Sequence, residues 1–231
     1  MAERKGKRSR GASSKDLKEL RKKALEVIKR LRPLYESPKL ELEFSTPFEL
    51  LVMAILAAQE SDKRVNEVRP ALFAAFPTAR EMARARQEKL EELIKSINFY
   101  RRKAKLVIEC ARRLVELYDG EVPKEVEKLE ELPGVGRKTA SMVAGCAYGT
   151  PALIVDRHVH RVSLRLGLTK EKNPDKAEEE LRKIVPKRYW LEFSLLLMTH
   201  GKRICKARKP DCGSCPLTDL CDYFLSVCPQ V

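Results

Sequence analysis

The sequence predicts an all-α protein built of two helical lobes. Apolar residues recur at helical spacing over most of the 231 residues, and capping residues and glycines mark where the periodic segments begin and end. The extended apolar run PALIVD, at 151–156, has no partner run with which it could build a sheet. These observations favour helices packed against helices.

The first helices are set by apolar spacing and by one strong cap. Residues 16–36 place six apolar or aromatic side chains on one stripe, namely Leu17, Leu20, Ala24, Ile28, Leu31 and Tyr35. Thr46-Pro47-Phe48-Glu49 has the form of a capping box with proline at the first helical position. The run that it starts, LLVMAILAAQ, is apolar on all sides, which predicts a buried central helix.

The later helices are bounded by recognisable stops. Helical patterns cover about 62–76, 79–96, 100–118 and 124–131. LPGVG, at 132–136, then makes a tight turn into a helix at about 137–148, which Gly149 ends. Helices resume at about 157–166, 174–185 and 188–201.

The charge balance indicates a polyanionic partner. Lys and Arg outnumber Asp and Glu by 47 to 33, a formal net charge of +14. A basic tail, residues 1–16, holds +4 of this charge and is predicted to be disordered. The remaining charge lies on the body and favours nucleic acid before an anionic membrane. Because neither a membrane-spanning run nor a secretory signal is evident, we expect an intracellular protein, with the compartment undetermined.

Four of the seven cysteines form a cluster with the spacing C-x6-C-x2-C-x5-C: Cys205, Cys212, Cys215 and Cys221. Four thiolates from one short loop suggest a metal site. Disulfides fit poorly with a chain that lacks a signal peptide. Spacing alone leaves zinc and iron–sulfur about equally favoured, although zinc folds usually pair two C-x2-C knuckles. Cys110 and Cys146 are assigned to the core, and Cys228 is given no role.

The loop that precedes and enters the cysteine cluster is strongly basic. It contains Lys202, Arg203, Lys206, Arg208 and Lys209. A run of charges is usually a solvated face. On a cross-linked loop of a basic protein, contact with phosphate is the better interpretation.

The segment EKLEELPGVGRKTASMVAG predicts helix, glycine hairpin and helix. Gly134 and Gly136 let the backbone approach a ligand, and the free N–H groups at the start of the second helix suit a DNA phosphate. For Lys138, the helix N-terminus, neighbouring Arg137 and partial burial each lower the pKa, so its amine is a candidate nucleophile. Position alone favours a phosphate-binding lysine instead.

Asp156, in LIVDRHVHRV, is a second candidate. A carboxylate between an extended run and a helix is most often an N-cap. In a functional role it would face Lys138 across a groove and stabilise positive charge on a sugar ring or deprotonate the attacking amine. The three histidines lack metal-ligand spacing and are assigned structural or DNA-facing roles.

Together these segments make the sequence resemble the endonuclease III family of DNA glycosylases, within the helix–hairpin–helix superfamily. The resemblance spans about 17–225 and rests on LAAQESD (56–62), LPGVGRKTA (132–140), VDRHVHRV (155–162) and the cysteine loop. It implies a six-helix barrel over 40–150. It also implies a second lobe, formed by 17–39 and 151–231, that carries a [4Fe–4S] cluster on the four clustered cysteines.

The resemblance also implies the chemistry. A damaged pyrimidine would be flipped out of duplex DNA, Lys138 assisted by Asp156 would displace the base, and β-elimination from the Schiff base would nick the strand 3′ to the lesion. Gln59 matches the family's inserted glutamine, and Phe99 occupies a second wedge position. The expected partner is double-stranded DNA with damaged pyrimidines or abasic sites, and the expected state is a monomer.

Three residues depart from the family pattern, and they flank the expected pocket and wedge. Glu60 stands where a small residue is common, Asn98 replaces a glycine, and Arg157 replaces a threonine. Adenine and thymine mismatch glycosylases usually carry serine or tyrosine at the position of Lys138. A plain DNA-binding module would need neither Lys138 nor Asp156, so the lysine and aspartate together favour a bifunctional glycosylase/lyase.

Overall fold

A computed structural model describes residues 14–227 of the protein. Within that range, all regular structure is helical, as predicted, and no helix is long and apolar enough to cross a membrane. The α-helices are α1 (Ser14–Leu31), α2 (Pro47–Leu56), α3 (Asp62–Ala75), α4 (Ala79–Ala83), α5 (Gln87–Ile94), α6 (Tyr100–Tyr118), α7 (Val126–Glu130), α8 (Arg137–Tyr148), α9 (Arg157–Arg165), α10 (Pro174–Ile184), α11 (Trp190–Arg203) and α12 (Asp222–Val227).

The helices pack as two groups. Helix α2 lies against α3, α6 and α8, while α4 and α5 lie against α6, and α7 packs on α8. In the second group, α1 lies against α10 and α11, and α9 lies against α10, α11 and α12. The chain therefore returns its first helix to its last ones, which agrees with the two predicted lobes. The boundaries at 39/40 and 150/151 stay predictions.

Helix α2 is the centre of the first group, for the reason that the sequence indicated. Thr46 accepts a hydrogen bond from the Glu49 N–H at 3.1 Å, and Pro47 opens the helix. The Glu49 carboxylate reaches back to the Ser45 N–H at 2.8 Å, which satisfies a second free donor. All residues from Leu50 to Leu56 are buried, so the helix contributes apolar surface on every side.

The single helix predicted over 79–96 is wrong. The structure has two helices there, α4 and α5, separated by 84–86, so seven α-helical segments lie between 47 and 148. The Arg112 guanidinium of α6 donates to the Ala83 carbonyl at 3.0 Å and satisfies the end of α4. Arg86 then adopts an extended backbone before α5.

The apolar segment 151–156 is extended, as predicted. Its backbone forms a hydrogen bond to a helix rather than to a second strand. Residues 152–155 are buried. The Ile154 N–H donates to the Ser194 hydroxyl at 2.8 Å, and this hydroxyl donates to the Trp190 carbonyl at 2.9 Å. The side chain of α11 thus supplies an acceptor that a neighbouring strand would otherwise provide.

Near both ends of the chain, the described residues differ from the helices and tail that the sequence predicts. The tail predicted over 1–16 lies mostly outside the described residues, but 14–16 already form the first turn of α1. Helix α12 was not predicted, and it is tied to α1 by an ion pair between Asp222 and Lys23 at 2.7 Å. Cys228 also lies outside the described residues.

The two glycines of the hairpin should respond differently to alanine. Gly134 has a φ of +79°, and an added Cβ would lie 3.3 Å from the Leu106 Cβ, whereas Gly136 has a φ of −96° and open space around it. We expect Gly134→Ala to lower the free energy of unfolding by about 1–2 kcal/mol. Gly136→Ala, the matched control, should leave it nearly unchanged in chemical denaturation. Equal effects of the two substitutions would contradict this account of the turn.

Candidate active site

The glycine hairpin places the start of α8 at the surface with its donors uncapped. It connects α7 to α8, and Gly136 is the N-cap residue of α8. No side chain accepts a hydrogen bond at that cap, so the first N–H groups of the helix are open to a ligand. The lack of atoms within 4 Å of a Cβ at Gly136 gives a ligand room to approach the backbone. This arrangement suits an anion.

Arg137 is engaged within the protein. Its guanidinium lies 2.8 Å from a carboxylate oxygen of Glu130 and 3.2 Å from one of Glu178, whose side chain is buried. Glu178 also pairs with Arg182 at 2.7 Å. The ion pairs join the hairpin to α10, and a DNA contact by Arg137 would have to compete with them.

Lys138 occupies the second position of α8 and is half-buried. Burial is the main reason that the pKa of its amine is lowered from 10.5. The carboxylates of Asp156 and Asp62 oppose that shift, while Arg157 and Lys202 add to it. The direction agrees with the one expected, and Arg157 and Lys202 are cationic neighbours that the sequence did not indicate.

Asp156 is the N-cap of α9, the more common of the two roles that the sequence left open, and its catalytic role stays a prediction. Its Oδ1 accepts hydrogen bonds from the N–H groups of His158 at 2.8 Å and Val159 at 2.7 Å, which caps α9. Both bonds use Oδ1, so the cap does not require the second carboxylate oxygen. The same carboxylate acts electrostatically on the Lys138 amine.

Lys202 extends this charged set across the two groups of helices. Its ammonium lies 2.7 Å from Asp62 of α3 and 2.9 Å from Glu41, and these partners raise its pKa against the effect of burial. Because the Lys202 ammonium is shared by two carboxylates, it serves first as a connection between α3 and α11. A direct contact with DNA stays a prediction.

The other basic residues predicted to contact phosphate are at the surface. Arg203, Lys206, Arg208 and Lys209 are all exposed. The Arg203 guanidinium also stacks 5.6 Å from the centre of the Tyr35 ring. Lys209 has a φ of +50°, so the loop turns sharply at that point.

Gln59 and Phe99 are exposed in two loops that approach each other. Both have left-handed backbones, with φ values of +57° and +58°. Phe99 is 65% exposed, which is unusual for an aromatic side chain in a soluble protein. The Asn98 amide lies 3.5 Å from the Gln59 carbonyl, which places the two loops side by side.

The four clustered cysteines line one cavity, together with side chains of α9 and α12. The side chain of Arg165 donates to the Cys205 sulfur at 3.2 Å and to the carbonyls of Lys206 and Ala207. Arg161 donates to the Cys205 carbonyl at 3.0 Å. Helix α9 therefore binds the start of the cysteine loop, at residues 205–207, through these hydrogen bonds. A set of sulfurs around a cavity, with cationic donors at the rim, fits an anionic iron–thiolate group.

A buried hydrogen-bonded pair supports the cysteine loop from the other side. His200 of α11 is 1% exposed, and burial lowers its pKa to about 4, so the ring is neutral. Its Nδ1 lies 2.9 Å from the Tyr35 hydroxyl, and its Nε2 lies 3.5 Å from the Cys215 sulfur. If the Tyr35 hydroxyl donates to Nδ1, then Nε2 carries the proton and donates towards the sulfur.

Comparison with known proteins agrees with this geometry. Residues 52–187 match the HhH-GPD superfamily of base excision DNA repair proteins. Residues 205–221 match the iron–sulfur binding domain of endonuclease III, a match that begins and ends on the first and fourth clustered cysteines. Endonuclease III of Synechocystis sp. is 46% identical over 202 residues, which cover 87% of this chain and 92% of the relative. The chain belongs to the endonuclease III family.

Similarity to further proteins supports the assignment of an activity. Endonuclease III of Escherichia coli (strain K12) is 42% identical over 201 residues, covering 87% of this chain and 95% of that protein. A trapped endonuclease III–DNA covalent intermediate superposes with a TM-score of 0.85 at 37% identity, covering 89% and 97% of the chains. A thermostable thymine-DNA glycosylase gives a TM-score of 0.80 at 25% identity, covering 90% and 98%. The protein is a base excision repair DNA glycosylase and lyase with a [4Fe–4S] cluster.

The sequence did not reveal several residues that shape the site. Lys103 is 5% exposed, and its ammonium donates to the Leu56 carbonyl at the end of α2 at 2.8 Å. The side chain of Glu60 is 4% exposed, although it appeared only as a departure at the pocket. For Lys103, the available signal was a lysine at helical spacing with the buried residues Ala104 and Val107 of α6.

Removal of the Tyr35 hydroxyl should weaken the link between α1 and the cysteine loop. We expect Tyr35→Phe to leave the buried His200 Nδ1 without a partner and to cost about 1–3 kcal/mol of stability. Thermal unfolding of the iron-loaded protein measures the change. Tyr118→Phe is the control, because the Tyr118 hydroxyl has no protein hydrogen-bond partner among residues 14–227. A melting temperature equal to that of the control would contradict the assignment.

Proposed function

We propose that Lys138 is the nucleophile of this glycosylase/lyase and that Asp156 assists it. The observation that supports the assignment is the pairing itself. A half-buried amine with a lowered pKa lies in the field of a carboxylate held rigidly at a helix N-terminus. A DNA-binding hairpin needs neither the buried amine nor the fixed carboxylate.

The proposed reaction begins at C1′ of a nucleotide that has been flipped out of the duplex. The neutral Lys138 Nζ forms a bond to C1′ as the bond from C1′ to the base breaks, and the base leaves with the electron pair and gains a proton. Asp156 stabilises the positive charge that develops on the sugar and accepts the proton that the attacking amine loses.

Strand cleavage follows from the covalent intermediate. The C1′–O4′ bond then breaks, O4′ takes its electron pair and a proton, and the nitrogen lone pair forms a protonated Schiff base between Lys138 and C1′. Loss of a C2′ proton and departure of the 3′ phosphate, which takes the C3′–O electron pair, complete a β-elimination and nick the strand 3′ to the lesion. Hydrolysis of the Schiff base then frees the lysine.

We propose that DNA binds in a groove that passes the glycine hairpin. We infer that the open N–H groups at Gly136 hold a phosphate near the lesion and that Gln59 and Phe99 fill the vacated space in the duplex. The exposed cations Arg203, Lys206, Arg208 and Lys209 would contact phosphates further along. Gly134 shapes the turn, while Arg137 and Lys202 position the elements around Lys138.

Cys205, Cys212, Cys215 and Cys221 are proposed as the ligands of the [4Fe–4S] cluster. They line one cavity and mark the limits of the matched iron–sulfur domain. When bound, the cluster would cross-link the basic loop through the four cysteine sulfurs. Arg165 and His200 hold the surrounding sulfurs and carbonyls.

The proposed substrates are oxidised pyrimidines and abasic sites in double-stranded DNA, handled by a monomer inside the cell. The structural similarity to a thymine-DNA glycosylase raises mismatched thymine as a second candidate. Lys138 favours the first, since thymine mismatch enzymes of this superfamily often carry tyrosine there. Duplexes containing thymine glycol, dihydrouracil, an abasic site or a thymine mismatch will separate the two.

Covalent trapping tests the nucleophile. Borohydride should cross-link the wild-type protein to duplex DNA with an abasic site, because it reduces the Schiff base to a stable amine. Lys138→Gln should give no cross-link while it still binds the same duplex. Asp156→Asn keeps an oxygen for the helix cap and should retain DNA binding but lose most turnover. Equal trapping by wild type and Lys138→Gln would rule out the assignment.

The pH dependence of trapping tests the electrostatics around Lys138. Only the neutral amine attacks, so the single-turnover rate should rise with pH and level off below the usual lysine pKa of 10.5. Arg157 lowers the pKa of Lys138, so Arg157→Gln should raise that pKa and move the rising limb to higher pH. The exposed Lys18→Gln makes the same charge change on α1 and should leave the profile in place. A shift towards lower pH in Arg157→Gln would contradict this reasoning.

A further inference from the structure

The two residues proposed to enter the DNA lie on separate loops. Gln59 follows α2, and Phe99 precedes α6. Both are exposed, and each has a left-handed backbone, which costs about 1–2 kcal/mol for a residue with a side chain. A strained and exposed position persists only where surrounding contacts hold it. The contacts that hold these two loops must therefore come from nearby residues.

Glu60 supplies those contacts. Its Oε2 accepts a hydrogen bond from the Asn98 N–H at 2.9 Å, and its Oε1 accepts one from the Ser61 N–H at 2.9 Å. Glu60 follows Gln59 directly, and Asn98 precedes Phe99 directly. One carboxylate thus bridges the backbones of the two loops, beside both proposed wedge residues. The Asn98 side chain adds a longer contact to the Gln59 carbonyl.

The Glu60 side chain is buried, although the residues that donate to it are exposed, and its charge is compensated. The side chain of Glu60 is only 4% exposed. The hydrogen bonds from the Asn98 and Ser61 N–H groups, with smaller contributions from Arg64 and Lys103, hold its pKa below the usual value despite burial. The carboxylate is therefore ionised at neutral pH, and hydrogen bonds to an ionised acceptor are roughly twice as strong as neutral ones.

We propose that Glu60 is a positioning residue that joins the Gln59 and Phe99 loops into one rigid unit for insertion into duplex DNA. The inference rests on the proposed DNA contacts of Gln59 and Phe99. Glu60 and Asn98 are two of the three departures from the family pattern; the Glu60 carboxylate forms the bridge, and the Asn98 side chain contributes only the longer contact to the Gln59 carbonyl. A small residue at position 60 could not span the two loops.

The bridge matters only where the enzyme must open a base stack. In duplex DNA, both side chains have to enter together, and loops that move independently would lose entropy on insertion. A single-stranded oligonucleotide with an abasic site has no partner strand and no stack to fill. The chemistry of Lys138 is the same on both substrates, so the two substrates separate positioning from catalysis.

The experiment compares Glu60→Gln with wild type by borohydride trapping on both substrates. Glutamine keeps the size of the side chain but can no longer accept hydrogen bonds through both of its terminal atoms. We expect the trapping rate on the duplex to fall by roughly tenfold, because bonds to a charged acceptor are lost. Trapping on the single strand should change by less than about twofold. A 2-aminopurine placed beside the lesion should show a weaker fluorescence rise, because the stack is opened less often.

Arg64→Ala is the matched control. Arg64 pairs with the Glu60 carboxylate at 3.5 Å, but its own side chain is 49% exposed, and its removal leaves both bridging hydrogen bonds in place. The control should behave like wild type on both substrates. Equal losses by Glu60→Gln on duplex and single strand, or no loss on either, would overturn the proposal.

The experiment also separates this inference from the function on which it rests. Gln59→Ala and Phe99→Ala are measured on the same two substrates. If neither lowers the duplex rate, the proposed wedge roles fail. If both lower it while Glu60→Gln does not, the wedge roles stand and the bridge is refuted.

Discussion

The burial of one amine constrains the rest of the active site. A lysine in water is almost entirely protonated at neutral pH, and the half-buried environment at the start of α8 shifts Lys138 away from that state. The carboxylates of Asp156 and Asp62 favour the charged form of the amine, while Arg157 and Lys202 add to the effect of burial.

Several charged residues near the proposed groove form ion pairs or hydrogen bonds within the protein. Arg137 lies between Glu130 and Glu178, Lys202 between Asp62 and Glu41, and Lys103 against the end of α2. Each connects segments that are distant in sequence. These three cations are engaged within the protein, whereas Arg203, Lys206, Arg208 and Lys209 of the loop after α11 are exposed and contribute to the field that attracts DNA from a distance.

Much of this architecture could be predicted from local sequence. The capping box before α2, the cap of α9 and the left-handed Gly149 after α8 are determined by neighbouring residues, and each is predicted correctly. The break between α4 and α5 was missed because its stabilising donor, Arg112, lies on another helix. The Glu60 bridge was missed for the same reason, since its acceptor role depends on a loop 38 residues away. The order of the cationic neighbours of Lys138 likewise depends on tertiary packing.

The return of α1 to the end of the chain has a consequence for biosynthesis. Helix α1 is made first, but it packs on α10 and α11, and its neighbour Tyr35 bonds to His200. The helices from α2 to α8 contact one another and can assemble while the chain is still being made. The amphipathic α1 must wait on the ribosome, with its apolar stripe uncovered, until about 170 further residues have emerged. Its high density of Lys, Arg and Glu keeps this segment hydrated in the meantime. The first helix of the chain therefore packs only after α10 and α11 have been made.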